Sequence, residues 1–186
     1  MLFGGEIAGQ QVRIAGFKVR ITQLQAGVEQ ALVANTFVAA LIDGVGGHKL
    51  MDAQLLCNVI EIFQQYLAVP QPGPQPILGG LSVDSQGTPS YAYEHFPTPL
   101  TLMLKAFGLG RLLTPSYTRT EPHQVDYVSG SLLLIGREQF QQLHGFDESF
   151  FLYFEETDLQ YRARQQGIAS VHIPAARYLH ESGGTF

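Results

Sequence analysis

The chain has no tryptophan, one cysteine and few charges, and it has no apolar run of membrane-spanning length. Each shortage narrows what it can do. A single cysteine, Cys57, forms no internal disulfide, and a reducing cytoplasmic setting fits. Cys57 sits in an apolar helical pattern with Leu55, Leu56, Val59, Ile60 and Phe63 and has no charged neighbour, which describes a small buried hydrophobe rather than a nucleophile. The start Met1-Leu2-Phe3-Gly4-Gly5-Glu6 lacks the basic stretch of a signal peptide, and no run is long enough for a membrane-spanning helix. The expectation is a soluble cytoplasmic protein, with peripheral docking on the inner face of the membrane left open. Basic residues are scarce, 11 Lys and Arg against 16 Asp and Glu for a net charge of -5, and the arginines are scattered. Nucleic acid is therefore not an expected partner. What is present is globular: 45% hydrophobic residues, with 12 Phe and 8 Tyr, in 186 residues. That length suits one domain with a substantial core.

Along the chain, Val12 and Ile14, then Phe17, Val19 and Ile21, alternate with period two and predict strands broken at Gly16. Leu24 to Val33 has helical spacing. Phe37 to Ile42 is a continuous apolar run that ends at Asp43 and a glycine cluster, as a strand buried on both faces does. The loop at the carboxyl end of such a strand is where open α/β sheets place ligands. Asp52 to Leu67 predicts an amphipathic helix. The prolines from Pro70 to Pro76 then exclude helix up to a short strand at Ile77-Leu78. Asp84-Ser85-Gln86-Gly87 is a turn signal and predicts a hairpin or irregular excursion. Further on come an apolar helix from Leu100 to Leu109, a polar loop from Thr114 to Pro122, and a strand pattern from Val125 to Ile135 interrupted at Ser129-Gly130-Ser131. Helices from Arg137 to Leu143 and from Glu155 to Gln166, the latter stopped by Gly167, precede a last strand from Ala169 to Ile173. The alternation of strands and helices predicts a layered α/β sheet.

The chemistry concentrates around Gly145 to Leu159, where Asp147, Glu148, Glu155, Glu156 and Asp158, with Glu181 further on, surround an aromatic run. Carboxylates against an apolar wall are candidates for perturbed acidity. Two readings stay open. Acids in the first turn of a helix are favoured by its free N–H groups and dipole, and Asp158 lies one turn from Arg162, with which it can pair. Alternatively, one carboxylate at the mouth of the sheet acts as a general base. His180 lies beyond the last strand in a glycine-rich loop, and with Asp43 it would offer the oxygen and imidazole donors that suit Mn²⁺ or Mg²⁺. His48 is a weaker candidate. His95, His123, His144 and His172 have no partners that spacing identifies.

These motifs carry a family resemblance. Val128-Ser129-Gly130-Ser131 running to Arg137, Gly145-Phe146-Asp147-Glu148-Ser149-Phe150-Phe151, Tyr153 to Leu159 with Arg162 and Gly167, and the closing His180 together resemble the C-terminal half of a family 2 glycosyltransferase of the rhamnosyltransferase type. More loosely, Gln25 to Ala31, Phe37 to Asp43 and Leu81 to Ser90 resemble the earlier motifs of that family. The resemblance implies a GT-A-like, Rossmann-like α/β/α sandwich with a mainly parallel mixed sheet. It also implies inverting transfer of a sugar from a nucleotide-diphosphate donor to a hydroxyl of a glycan or lipid-linked saccharide. By the same resemblance, Glu156 is the base and Asp147, Glu148 and Gly145 hold the acceptor. Glu155, Asp158 and Arg162 support them. Asp43, Gly130 and Ser131 face the nucleotide-sugar, and Asp43 and His180 hold the divalent cation, Mn²⁺ or Mg²⁺.

Three positions depart from the family pattern. Val45 stands where a second metal-binding acid is usual, Glu156 stands where Asp is usual, and only about twenty residues precede the helix at Gln25, a length that leaves the nucleotide-binding segment without a counterpart. One domain over residues 1–186, itself incomplete, is the expectation, and an edge left bare would be covered by a second copy or partner chain. Against the enzyme stands a reading from another class, a catalytically silent relative that serves as a binding or interaction module.

Overall fold

The computed structural model describes residues 11–14, 17–20, 37–40, 53–70, 72–113, 115–150 and 154–180. Among them are β1 (Gln11–Ile14), β2 (Phe17–Arg20), β3 (Phe37–Ala40), α1 (Ala53–Ala68), β4 (Ile77–Val83), β5 (Tyr93–Glu94) and α2 (Pro99–Ala106). These are followed by β6 (His123–Val125), β7 (Tyr127–Val128), β8 (Leu133–Gly136), α3 (Arg137–Gln142), α4 (Glu155–Gln165) and β9 (Ser170–Leu179). A five-stranded sheet runs in the order β3-β8-β4-β9-β6, and two separate two-stranded ladders are formed by β1-β2 and β5-β7.

Side chains alternate across the central strands, and a helix layer covers each face. Ile77, Leu81, Leu133 and Ile135 turn to one face, where Leu159 and Ala163 of α4 and Leu143 and Phe146 close over them. Leu78, Leu132, Leu134, Val171 and Ile173 turn to the other, against Val59 and Phe63 of α1. Val59, Ile62, Phe63, Tyr66 and Leu67 form one stripe of α1 because three- and four-residue steps share a helix face. Burying each large side chain stabilises the fold by roughly 1.5–3 kcal/mol. This is the layered α/β arrangement that the alternation of elements predicts.

The sheet is mixed, as expected, yet its parallel part is the single ladder β4-β9. β8 runs against both β3 and β4, and β6 runs against β9. For β4 and β8 the reason lies in the excursion between Val83 and Leu133, which on its way adds β6 to the edge of the sheet. Parallel neighbours need a crossover that packs back over the sheet, and the helix in this excursion, α2, has no buried residue. The chain thus re-enters the sheet at the end it left. Of the two expectations for the turn at Asp84, the irregular excursion is the one found: Val83 and Pro89 form one isolated bridge, and Tyr93–Glu94 pairs with β7. Asp84 still builds its turn, its Oδ1 accepting from the Gln86 and Thr88 N–H groups at 2.9 and 2.8 Å.

Two glycines in β4 set how closely the next layer approaches. A Cβ on Gly79 would stand 2.4 Å from the Val128 Cβ, and one on Gly80 would stand 2.3 Å from the Ala176 carbonyl. Their bare backbone lets Val128 settle onto the sheet, and the β4-β9 register shifts between Gly79 and Leu81.

Candidate functional site

α4 begins where the acids cluster. Phe154, half exposed, occupies the N-cap with a φ of 70°, a left-handed conformation that is costly for a bulky side chain. Glu155, Glu156 and Asp158 fill the first turn, as the dipole favours. The helix ends as the glycine predicts. Gly167 adopts a φ of 76°, the Gly167 N–H donates to the Arg164 carbonyl, and the Ile168 N–H reaches back to the Ala163 carbonyl at 3.0 Å.

Glu156 is partly buried, and its Oε2 is enclosed without a hydrogen-bond partner. Burial first, and the neighbouring Glu155 carboxylate second, hold its acidity weaker than that of an ordinary glutamate. Backbone N–H groups, that of Gly130 among them, act in the opposite direction. Gly130 is thereby brought to Glu156 from the turn between β7 and β8. Glu155 is buried, and its Oε2 also lacks a partner.

Next to this carboxylate is a chain of hydroxyls that the sequence reading did not identify. The Tyr91 hydroxyl donates to the Tyr127 hydroxyl at 3.1 Å, and the Tyr127 hydroxyl donates to Glu94 Oε2 at 3.2 Å. Lys105 Nζ closes the chain 3.1 Å from the same oxygen. Burial pushes the Tyr127 hydroxyl up to about 12. Burial raises Tyr91 further, and the Tyr127 hydroxyl and the charges of Glu94 and Glu156 add to it. Both phenols are therefore neutral donors over the working range of pH. No spacing rule marks them, because Tyr91, Glu94 and Tyr127 meet only through the excursion and its β5-β7 ladder.

The other predicted residues take definite places. Asp158 and Arg162 pair at 2.7 Å, one turn apart. Arg162 also donates to the Leu143 carbonyl and, at 2.9 Å, to the Gly145 carbonyl. Gly145 has a φ of 68° in the turn after α3. Arg162 is therefore a clamp on the turn that carries Asp147 and Glu148, both exposed. Asp147 Oδ1 accepts the Ser149 N–H at 2.9 Å, and that bond, then the Ser149 hydroxyl, strengthens its acidity. Ser131 is part of a hydroxyl cluster, bonded to Tyr178 at 2.5 Å and to Ser129 at 2.9 Å. The Tyr178 ring lies 6.4 Å from that of His180, whose N–H donates to the Val83 carbonyl at 3.0 Å. His180 thus stands where the parallel ladder ends. Asp43 and Glu181 lie outside the described residues, and among the described residues no three His, Cys, Asp or Glu side chains converge on a metal position.

Two histidines without sequence partners meet across strands. His123 opposes His172 in the β6-β9 ladder, with ring centroids 5.2 Å apart, and Tyr93 packs on both. His95 instead meets Asp126 at 3.1 Å beside Arg164.

No family profile matches the chain. Over 64 residues, 33% of the chain, it is 45% identical to an N-acetylglucosaminyl-diphospho-decaprenol L-rhamnosyltransferase of Mycobacterium tuberculosis, of which it covers 21%. It is 36% identical over 72 residues to the low-salt glycan biosynthesis hexosyltransferase Agl10 of Haloferax volcanii, covering 39% of this chain and 23% of that protein. It is 28% identical over 92 residues to rhamnosyltransferase WbbL of Escherichia coli, covering 48% and 34%. The chain spans between 21% and 34% of the length of these relatives. Among solved structures, one described as the crystal structure of GalNAc-T7 with UDP, GalNAc and Mn²⁺ aligns with a TM-score of 0.33 at 20% identity, over 57% of this chain and 21% of that one. No helix among the described residues is long and apolar enough to cross a membrane. The chain is related in sequence to rhamnosyl- and hexosyltransferases of the family 2 type, in agreement with the motif resemblance.

Proposed function

We propose that this chain takes part in inverting sugar transfer from a nucleotide-diphosphate sugar to a hydroxyl of a glycan or lipid-linked saccharide, with Glu156 as the base. The observation that carries the reading is the Glu156 carboxylate, partly buried and weakened in acidity by burial and by Glu155, set against Gly130 in a chain whose relatives are glycosyltransferases. The name of the mycobacterial relative specifies rhamnosyl transfer to a saccharide on a lipid diphosphate, and the same acceptor class is proposed here.

In the proposed step, ionised Glu156 takes the proton of the acceptor hydroxyl as its oxygen attacks the anomeric carbon. The new C–O bond forms on the face opposite the nucleoside diphosphate. The bond from the anomeric carbon to the phosphate oxygen breaks with its electron pair, and configuration inverts. A carboxylate of raised pKa is, once ionised, a better proton acceptor than an ordinary one. In this reading Asp147 and Glu148, exposed on the turn held by Arg162, accept hydrogen bonds from the acceptor sugar. Gly130 and Ser131 lie toward the donor in this reading. A divalent ion, Mn²⁺ or Mg²⁺, would neutralise charge on the leaving diphosphate. Of its two proposed donors the structure describes His180 and not Asp43. Two donors do not by themselves make a site.

The test is calorimetric titration with UDP and dTDP, with and without Mn²⁺, followed by mass spectrometry of a saccharide acceptor incubated with the matching nucleotide-sugar. Metal-dependent binding and an added hexose mass are expected. Absence of both at millimolar ligand would overturn the reading in favour of a silent binding module. Nucleotide affinity unchanged by Mn²⁺ would remove the metal role of Asp43 and His180.

A further inference from the structure

α2 buries none of its residues, and Leu100, Leu102 and Met103 face outward while Leu104 is half-buried. Leu100, Met103 and Phe107 follow at steps of three and four, a single stripe that is 60%, 52% and 75% exposed. Leu102, Leu109 and Leu112 extend the patch at 52%, 45% and 78%. The helix closes its own start: Thr98 Oγ1 accepts the Thr101 N–H at 3.1 Å, Thr101 Oγ1 accepts the Thr98 N–H at 2.8 Å, and Pro99 opens the first turn. Eight residues do not hold a helix in water by propensity alone, and a patch of this kind marks an interaction surface.

Charge selects the occupant. Residues 95–120 contain no Asp or Glu, in a chain with 16 of them, and they contain Lys105, Arg111 and Arg119. A second copy docked through the same patch would set these cations against one another, because a two-fold interface pairs a surface with itself. Exposed apolar side chains in a stretch whose only charged residues are basic, with Lys105 bridged to Glu94 at its border, are what an anionic bilayer surface takes up, the apolar side chains entering the acyl boundary and the cations meeting phosphates.

We propose that Pro99 to Leu112 docks the protein on an anionic phospholipid surface. Lys105 ties this face to Glu94, and Glu94 to the tyrosine chain beside Glu156, so a bilayer under α2 would hold the candidate site at headgroup level. That last consequence rests on the proposed transfer; the docking itself does not.

The test reads binding without turnover, so it fails or succeeds apart from the enzymatic reading. The protein is cosedimented with vesicles of phosphatidylglycerol and phosphatidylcholine, and with phosphatidylcholine alone, at low and high salt. Salt-sensitive binding to the anionic vesicles is expected, weakened by about tenfold or more in Leu100→Ser/Met103→Ser/Phe107→Ser. Because the chain has no tryptophan, Leu102→Trp adds a single indole whose emission should shift to the blue with anionic vesicles, a readout that stands even if the triple variant fails to fold. The proposal is overturned by absence of both signals or by equal binding of a folded triple variant. It is equally overturned by an indole shift without lipid that accompanies a dimer in sedimentation, since a second copy would then cover the face.

Discussion

Gln160 stands beside Val128 as a neighbouring strand would. Its Oε1 accepts the Val128 N–H and its Nε2 donates to the Val128 carbonyl, both at 2.8 Å. The Ser170 hydroxyl donates to the same Oε1 at 2.9 Å, and Nε2 also reaches the Glu156 carbonyl at 3.1 Å. A fully buried amide thus fastens α4 to β7 and β9, one helical turn beyond the candidate base. With Val128 seated over Gly79, this fixes how Glu156 meets the Gly130 turn.

Gln160→Leu is similar in volume but leaves the Val128 N–H and carbonyl buried and unpaired. Each unpaired group costs about 1–3 kcal/mol, so a loss on the order of 2–4 kcal/mol is expected in urea unfolding. A loss within error would mean that the helix is held by apolar contacts alone and that the amide positions nothing.

Much of this was legible in the sequence and some was not, for one physical reason. Local signals were read correctly: Gly167 ends α4 because only a residue tolerant of positive φ fits there, Asp158 and Arg162 pair because helical spacing puts them together, and Asp84 builds its turn. Contacts made by the long excursion carried no local signal. Tyr91, Glu94 and Tyr127 have no periodicity in common, and Gln160 looks like any polar helix residue until Val128 lies beside it. The apolar spacing of α2 predicts a helix correctly, yet periodicity cannot say whether the apolar side meets a core or the outside.

Arg162→Lys should separate positioning from charge. The guanidinium serves the Asp158 carboxylate and the Leu143 and Gly145 carbonyls together, which an ammonium cannot reproduce. The expected result is a stability loss of about 1–3 kcal/mol and a raised KM for the acceptor with a smaller change in kcat. An unchanged KM would show that the turn bearing Asp147 does not meet the acceptor.

His172 makes stability depend on pH. The ring is buried, both nitrogens lack partners, and burial, then the charge of His123, holds its pKa down to about 4 from 6.5. The unfolded chain therefore binds the proton more readily than the folded one. The stability contribution is complete above pH 6.5 and is lost as pH falls toward 4, by up to about 3 kcal/mol. Urea unfolding across that window should show the slope, and His172→Phe, which keeps an aromatic ring against Tyr93, should flatten it. An unaltered slope would assign it to other groups.

Glu156→Gln tests the chemistry most directly, because the two effects of the change run in opposite directions. The amide keeps the size and removes the charge, so the proton acceptor is gone while the packing remains. If Glu156 is the base, kcat for transfer should fall by about 10²–10⁴-fold with little change in donor affinity. The carboxylate also carries a burial penalty when ionised, which lies behind its raised pKa. In the folded state the proton is held to higher pH than in the unfolded chain, so the stability that protonation gives fades as pH rises through the folded pKa. At neutral pH the variant should therefore be more stable, with a raised Tm. A residue kept for its fold would lose stability on substitution, and one kept for its chemistry loses activity and gains stability. A variant that is destabilised and still turns over the donor would place Glu156 with the helix-start acids and leave the base to be found elsewhere.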